Sequence, residues 1–353
     1  MYNNAIILLG SKAYLNMDTR PRVSLGLPVF NGEAFLNQSL NSIVKQTFVD
    51  FELIVSDNAS TDNTQEICER FAASDPRIRY YRQKTNIGAR RNYNFVFEKS
   101  RGEYFKWCAH DDVVAPTFLE ECVSILDRNP TIVLCNTTFL DIDDEGNPLT
   151  RIQRNRGDAN TPYERFARLI SLDYDCEEVF GLIRSVILRK TGLIRNYTDS
   201  DRTLLAELGL HGKLAHVPKV LFYHRLHPDS SVQSFPDWNN RVIWFNPSLQ
   251  GKFVLPRWLQ MLDYLSVIAK GPLSLKEKSR CYLKMISWVW SFRRGLVRDV
   301  IIAFFGLARL PLPKRFRKRS SFVKYVDGAT PINEAEFNIM TGSAPTDRSS
   351  IRL

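Results

Sequence analysis

Between residues 22 and 140 two periods alternate, and that alternation leaves the chain few folds to adopt. Short apolar runs at 23–27, 51–56, 78–82, 104–109 and 132–138 read as strands. Between them, segments at 34–44, 64–73, 90–99 and 116–128 space their apolar residues at the helical period; Phe35, Leu36, Leu40, Ile43 and Val44 make such a stripe. Strands alternating with helices of about ten residues predict an α/β fold, with a mostly parallel sheet and helices on both faces. Asp62 stands where an N-cap would open the second helix.

Beyond residue 141 the rhythm loosens. The stretch DIDDEGN at 141–147 is a polar turn, and a helix at 202–210 and a strand at 220–225 follow. Five divisions result: an extension at 1–21, a regular half at 22–140, a second half at 141–235, a mainly helical basic region at 236–319 and a polar tail at 320–353. The formal net charge is +10, yet residues 252–353 hold 19 Lys and Arg against 7 Asp and Glu. The excess therefore lies wholly in the last hundred residues, which points to contact with an anionic surface. Residues 276–319 mix basic residues with Trp288, Trp290, Phe292, Phe304 and Phe305 and end in KRFRKR at 314–319. A basic amphipathic helix with such aromatics suits a membrane interface, although a helical pair packed on the preceding half fits the same pattern. No apolar stretch approaches the ~20 residues of a spanning helix, and the start lacks a basic leader, so neither anchor nor signal peptide is expected. The cysteines at 68, 108, 122, 135, 176 and 281 form no CxxC pair, which disfavours a zinc ribbon and suits a reducing, cytoplasmic setting.

Polar residues gather where strands end. The first expected strand runs into PVFNGE at 28–33, the second into DNASTD at 57–62 and the fourth into HDD at 110–112. In open α/β sheets ligands bind at the carboxyl ends of strands, so three such clusters would line one rim. Neither a GxxxxGK(S/T) loop nor a GxGxxG turn is present, which disfavours P-loop nucleotidases and dinucleotide dehydrogenases. Adjacent Asp111 and Asp112 suit a hard divalent cation, which takes one or two protein carboxylates and fills its shell with water and phosphate. The bland alternative is a capping pair for the helix expected from Pro116. No HExxH occurs among the five histidines, which argues against a zinc hydrolase.

The stretches VSLGLPVFNGE, ELIVSDNASTDNT, NIGARRN and GEYFKWCAHDD, in that order, resemble glycosyltransferase family 2, whose fold is the Rossmann-like GT-A arrangement. The likeness continues more weakly through SDRTLLAELGLHG and RLHPDSSV. It implies that Pro28, Phe30, Asn31 and Glu33 belong to the turn cradling a nucleotide, and that Asp57 contacts its base. Asn86, Gly88 and Arg91 would close over the nucleoside. Asp111 would stand near the ribose, while Asp112 and His227 would hold the metal on the diphosphate. Asp201 would be the general base, though Ser200 precedes it where the family usually carries Glu.

The resemblance implies an inverting transfer of a sugar from a nucleoside-diphosphate sugar to a hydroxyl of a glycan or lipid-linked acceptor, assisted by Mg²⁺ or Mn²⁺. Such chemistry needs one acidic station for the cation at the leaving group and one for the proton lost by the acceptor. The expected setting is cell-surface or cell-wall polysaccharide synthesis on the inner face of the cytoplasmic membrane, without nucleic acid as a partner. Two rivals are an inactive GT-A module serving as a membrane-associated binding partner and a sugar nucleotidyltransferase. The second usually carries a basic Gly-rich loop that PVFNGEAF lacks.

Overall fold

The structure is a computed structural model that describes residues 20–149, 157–171, 176–230, 238–252 and 254–307. The extension up to residue 19, the basic run 314–319 and the polar tail lie outside the described residues. In the regular half, strands β1 (Val23–Val29), β2 (Phe51–Asp57), β3 (Ile78–Arg82) and β4 (Tyr104–Trp107) alternate with helices α1 (Leu36–Val44), α2 (Thr64–Ser74) and α3 (Ala89–Glu98). A two-residue strand β5 (Val113–Val114), helix α4 (Phe118–Arg128) and the long strand β6 (Ile132–Ile142) complete it. Next come β7 (Pro148–Leu149), α5 (Pro162–Ile170), a 3₁₀ turn at Glu177–Phe180, β8 (Leu182–Arg184), α6 (Ser185–Leu188), α7 (Asp201–His211) and β9 (Lys213–Arg225). Helices α8 (Trp238–Phe245), α9 (Pro256–Lys270) and α10 (Leu275–Leu307) end the described chain.

Among the described residues nine strands share one sheet, in the order β3-β2-β1-β4-β8-β6-β9-β5, with β7 paired to β6. Strands β1 to β4 are parallel; β8 runs antiparallel between β4 and β6, and β6 and β9 form a long parallel pair. The parallel part is as expected, and short antiparallel strands make the rest mixed. Two expected boundaries need correction. Strand β6 continues to Ile142, and β9 begins at Lys213 rather than at 220. Each supplies the other's ladder, so pairing extends them through polar residues that carry no strand signal of their own.

The period of two sorts side chains to the two faces. Val23, Leu25, Leu27 and Val29 face one core with Leu36, Leu40, Ile67 and the stripe Phe118, Cys122 and Leu126 of α4. Phe105 and Trp107 face the other, with Val96 and Phe97 of α3 and the largely buried α7. On that side Tyr264 of α9 and Trp288 of α10 stack edge to face at 5.6 Å. Helix α5 opens with Pro162 and a capping box in which Thr161 and Glu164 satisfy each other's backbone N–H groups. All six cysteines are free and buried.

Candidate active site

The strand order 3-2-1-4 places a topological switch between β1 and β4. The loops leaving the carboxyl ends of those strands diverge there and open a crevice. The loops after β1 and β2 are laced together. The Asn31 N–H donates to Ser60 Oγ (2.9 Å), Gly32 N–H to Thr64 Oγ1 (2.8 Å) and Glu33 N–H to Asp62 Oδ2 (3.0 Å). In return Asn31 Oδ1 accepts from Thr61 N–H and Glu33 Oε2 from Asn63 N–H. Asp62 is thus no N-cap: α2 starts after Asn63, and Asp62 instead ties the two loops, accepting from Thr64 N–H at 3.1 Å as well. Gly32 passes so near His110 that an added Cβ would lie 2.7 Å from its ring, which brings the first and third polar clusters side by side.

Strain gathers on this rim. Of the four non-glycine residues with positive φ among the described residues, Asn31 (51°), Ala59 (62°) and Asp199 (65°) lie in loops of the site. Such conformations cost of order 1 kcal/mol or more and persist where surrounding contacts impose them.

Asp57 lies beneath the loops with no exposed side-chain surface. Its carboxylate accepts from Ser60 N–H (2.8 Å), the Tyr80 hydroxyl (2.9 Å) and Arg82 Nη1 (2.6 Å). Pro28 is buried in β1 and Phe30 is exposed at the start of the loop. Asn86 accepts from Asn58 Nδ2 and from Gly88 N–H, both at 2.9 Å, so the third loop is joined to the second. Gly88 opens α3 at a φ of 84°, and Pro247 leaves no room for a side chain there. Arg91 is exposed on α3, whereas neighbouring Arg90 reaches the carbonyl of Ile194 at 3.2 Å.

Asp111 and Asp112 do not cap a helix: β5 follows them, and α4 opens at Phe118 with Thr117 before it. Asp111 Oδ2 lies 3.0 Å from His227 Nε2. Burial pushes the Asp111 carboxyl up, but His110, His227 and His224 outweigh it and hold the group well below the ordinary carboxylate range. Asp112 is 5% exposed; its Oδ1 accepts from Arg225 N–H at 3.0 Å, and its Oδ2 has no hydrogen-bond partner among the described residues. Burial, with Asp111 adding to it, holds Asp112 well above the ordinary range. His227 Nδ1 is likewise buried without a hydrogen-bond partner.

Asp201 begins α7 and accepts its neighbour's N–H at 2.8 Å. Burial and the adjacent Asp199 raise its pKa, which makes it a stronger base than a free carboxylate. The Tyr93 hydroxyl of α3, already raised by burial, is raised further by the charges of Asp111, Asp112 and Asp201, so the three carboxylates share one electrostatic neighbourhood.

The sequence did not reveal the groups beneath the acid pair. Arg225 is 1% exposed, donates from Nε to the Asp111 carbonyl (3.0 Å), from Nη1 to the carbonyls of Asp143 and Asp144, and from Nη2 to Gln38 Oε1 (2.7 Å). Its guanidinium lies over the Phe35 ring at 4.6 Å. His224 Nδ1 is 2.9 Å from Asp141 Oδ1; burial opposes its charge, but Asp112 and Asp141 raise it to about 10. The available signal was a cation inside the apolar strand VLFYHR, since buried arginines are nearly always held by partners.

Among the described residues no three His, Cys, Asp or Glu side chains form a ready metal cage. The donor set still fits a cation that needs few protein ligands, because Asp112 Oδ2 and His227 Nδ1 are an oxygen and a nitrogen left without hydrogen bonds.

A family model, Glycosyl transferase family 2, matches residues 24–190, from β1 past the acid pair to the end of α6. Residues 24–190 belong to glycosyltransferase family 2. Similar proteins include an uncharacterized glycosyltransferase of Rickettsia typhi, 27% identical over 225 residues, which are 63% of this chain and 67% of that protein. A chondroitin synthase of Escherichia coli is 26% identical over 216 residues, 60% of this chain but 30% of the synthase. Among solved structures, residues 1–349 of S. aureus TarS in complex with UDP superpose with a TM-score of 0.59 at 16% identity, covering 84% of this chain and 82% of that one. That likeness shows a shared GT-A fold, helical C-terminal region included.

Proposed function

We propose that this glycosyltransferase moves a sugar, with inversion, from a nucleoside-diphosphate donor to a hydroxyl of a growing glycan. The observation that carries the reading is the buried Asp112 oxygen without a hydrogen-bond partner among the described residues, with a second, basic carboxylate, Asp201, at the start of α7. A buried acceptor left unmet is costly, so its retention marks a place for a ligand. Asp112 and His227 would hold a divalent cation. Bound there, a cation supplies neutralisation of the charge that grows on the departing diphosphate.

The remaining work falls to side chains. Arg225 holds the Asp111 carbonyl with its guanidinium and the Asp112 carboxylate with its own N–H, which keeps the acid pair from turning away. His227 orients Asp111. Asp201 takes the proton from the acceptor hydroxyl as it attacks, and attack from the side opposite the leaving diphosphate inverts the anomeric carbon. The laced loops after β1 and β2, with the Asn58–Asn86 link, present a pre-formed wall to the nucleoside. Another TarS structure is in complex with UDP-GlcNAc, and a relative is named for chondroitin synthesis; together they support a nucleotide-sugar donor and a polysaccharide product.

The test is a thermal-shift series with UDP-, GDP- and dTDP-sugars, each with and without Mg²⁺ or Mn²⁺. Binding to the folded state raises the melting temperature by mass action. We expect a rise with one base only, present with metal and absent in chelator. A chain indifferent to every nucleotide in both conditions overturns the reading.

A further inference from the structure

Helix α10 carries two apolar faces and needs only one to pack. Cys281, Met285, Trp288 and Leu296 are its buried row. At 100° per residue a second row lies opposite, comprising Leu275, Ile286, Trp290, Val297 and Phe304. These five are 83%, 69%, 71%, 57% and 61% exposed. From first to last the row is about 44 Å long at the helical rise. Leu283, 66% exposed, widens it. Single exposed apolar residues are ordinary on a soluble protein, but a continuous row of this length marks an interaction surface.

The charges beside the row choose the occupant. Lys276, Arg280, Arg293 and Arg294 are exposed along this helix, and the Arg293 guanidinium sits 4.5 Å over the ring of Trp290. The helix's two acids offset little of this charge: Glu277 accepts from Tyr163 N–H at 2.8 Å and pairs with Arg280 at 3.5 Å, leaving Lys276, Arg293 and Arg294, and Asp299 is 2% exposed and accepts from Arg257 N–H at 2.7 Å. The surface around the row is therefore cationic. Two copies of this face would bring like charges together, whereas an anionic leaflet supplies the opposite charge along its whole extent. No helix among the described residues is long and apolar enough to cross a membrane.

We propose that α10 lies in the plane of an anionic lipid leaflet, with Ile286, Trp290, Val297 and Phe304 among the acyl chains and the arginines at the headgroups. An indole with a guanidinium stacked on it suits that boundary, since one side of the pair is apolar and the other wet. This docking is independent of the sugar chemistry proposed above.

The experiment sediments the full chain with phosphatidylcholine vesicles, with and without phosphatidylglycerol, at low and high salt. A triple variant, Ile286→Ser, Trp290→Ser and Val297→Ser, is carried in parallel. We expect binding to the phosphatidylglycerol vesicles, weakened by salt and at least roughly tenfold lower for the variant, as the loss of inserted apolar area demands. The variant's melting temperature and sugar-nucleotide turnover should match the parent, because all three side chains are exposed. Equal vesicle binding by parent and variant overturns the proposal, as does no binding by either. Sedimentation velocity without lipid adds one more outcome: a stable dimer that the triple variant splits would assign the face to a second copy and overturn the lipid reading.

Discussion

Strands β1 and β2 bury acid near one end, and the crevice beyond the other end of β1 and β4 buries it too, yet the two places treat it differently. At the amino ends, Glu52 is 3% exposed, and both its oxygens are met: Oε1 by the Ser24 hydroxyl and Arg101 N–H, Oε2 by Arg79 and Arg101. At the carboxyl ends, Asp112 is buried as deeply and has one backbone N–H, with Oδ2 left over. The first acid holds three strands and a loop together. The second holds little and is ready to be completed by something that arrives. A buried carboxylate is thus read by what meets its oxygens, since full satisfaction fixes structure and a missing partner costs stability.

Substitution should separate the two ends. Asp112→Asn should lower sugar-nucleotide turnover by about three decades, roughly 4 kcal/mol in the barrier, with no loss of melting temperature. Steady-state kinetics beside calorimetry would check this, and a stability loss comparable to the activity loss would erase the contrast. Retained partner binding without any turnover in the parent chain would instead favour the inactive-module reading. Asp201→Asn should lower kcat by about two to three decades while the donor's KM stays near the parent value, because the base acts on the acceptor. A large rise in donor KM would move Asp201 to the nucleotide.

The smallest effect belongs to the satisfied end. Glu52→Gln should cost about 1–2 kcal/mol of stability by leaving Arg79 and Arg101 short of charge, with turnover per folded molecule unchanged. Its pH dependence follows from the same contacts. Burial pushes Glu52 up, but the Ser24 and arginine hydrogen bonds outweigh it and leave its pKa below the ordinary 4.5. The stabilisation is therefore complete above the unfolded-state value and fades as pH falls through the folded one. Melting curves of parent and variant should differ most near neutrality and converge only in acid, as the pH falls below the lowered folded-state pKa. A gap that widens in acid would show that Glu52 is not held as an ion.

The regular half was legible because strands β1, β2 and β4 are buried on both faces and each helix on one stripe. The expected strand at 78–82 coincides with β3, and α2 ends one residue from its expected limit. The mixed half was not. Strand β9 runs through Lys213, His216 and Lys219 because β6 lies beside it, and β5 has two residues, too few for any period. The polar clusters at the strand ends were legible as a rim by the topology of parallel sheets alone. Their internal wiring was not. Asp57 meets Arg82 and Tyr80, and Asp112 meets Arg225, across 25, 23 and 113 residues of sequence, and no local pattern encodes such meetings.

Arg225 sits at the last position of β9, yet it grips Gln38, 187 residues earlier, and the Asp111 carbonyl, 114 residues earlier. During synthesis the first four strands can collapse once they have emerged, since their pairings with one another all lie within residues 23–107. The polar rim must wait, half-built, until β9 is in place and its guanidinium closes the knot. A nascent chain stopped short of that arginine would own a parallel sheet without the anchor of its acid pair, which arrives late in the life of the newborn molecule, after most of its bulk has already set.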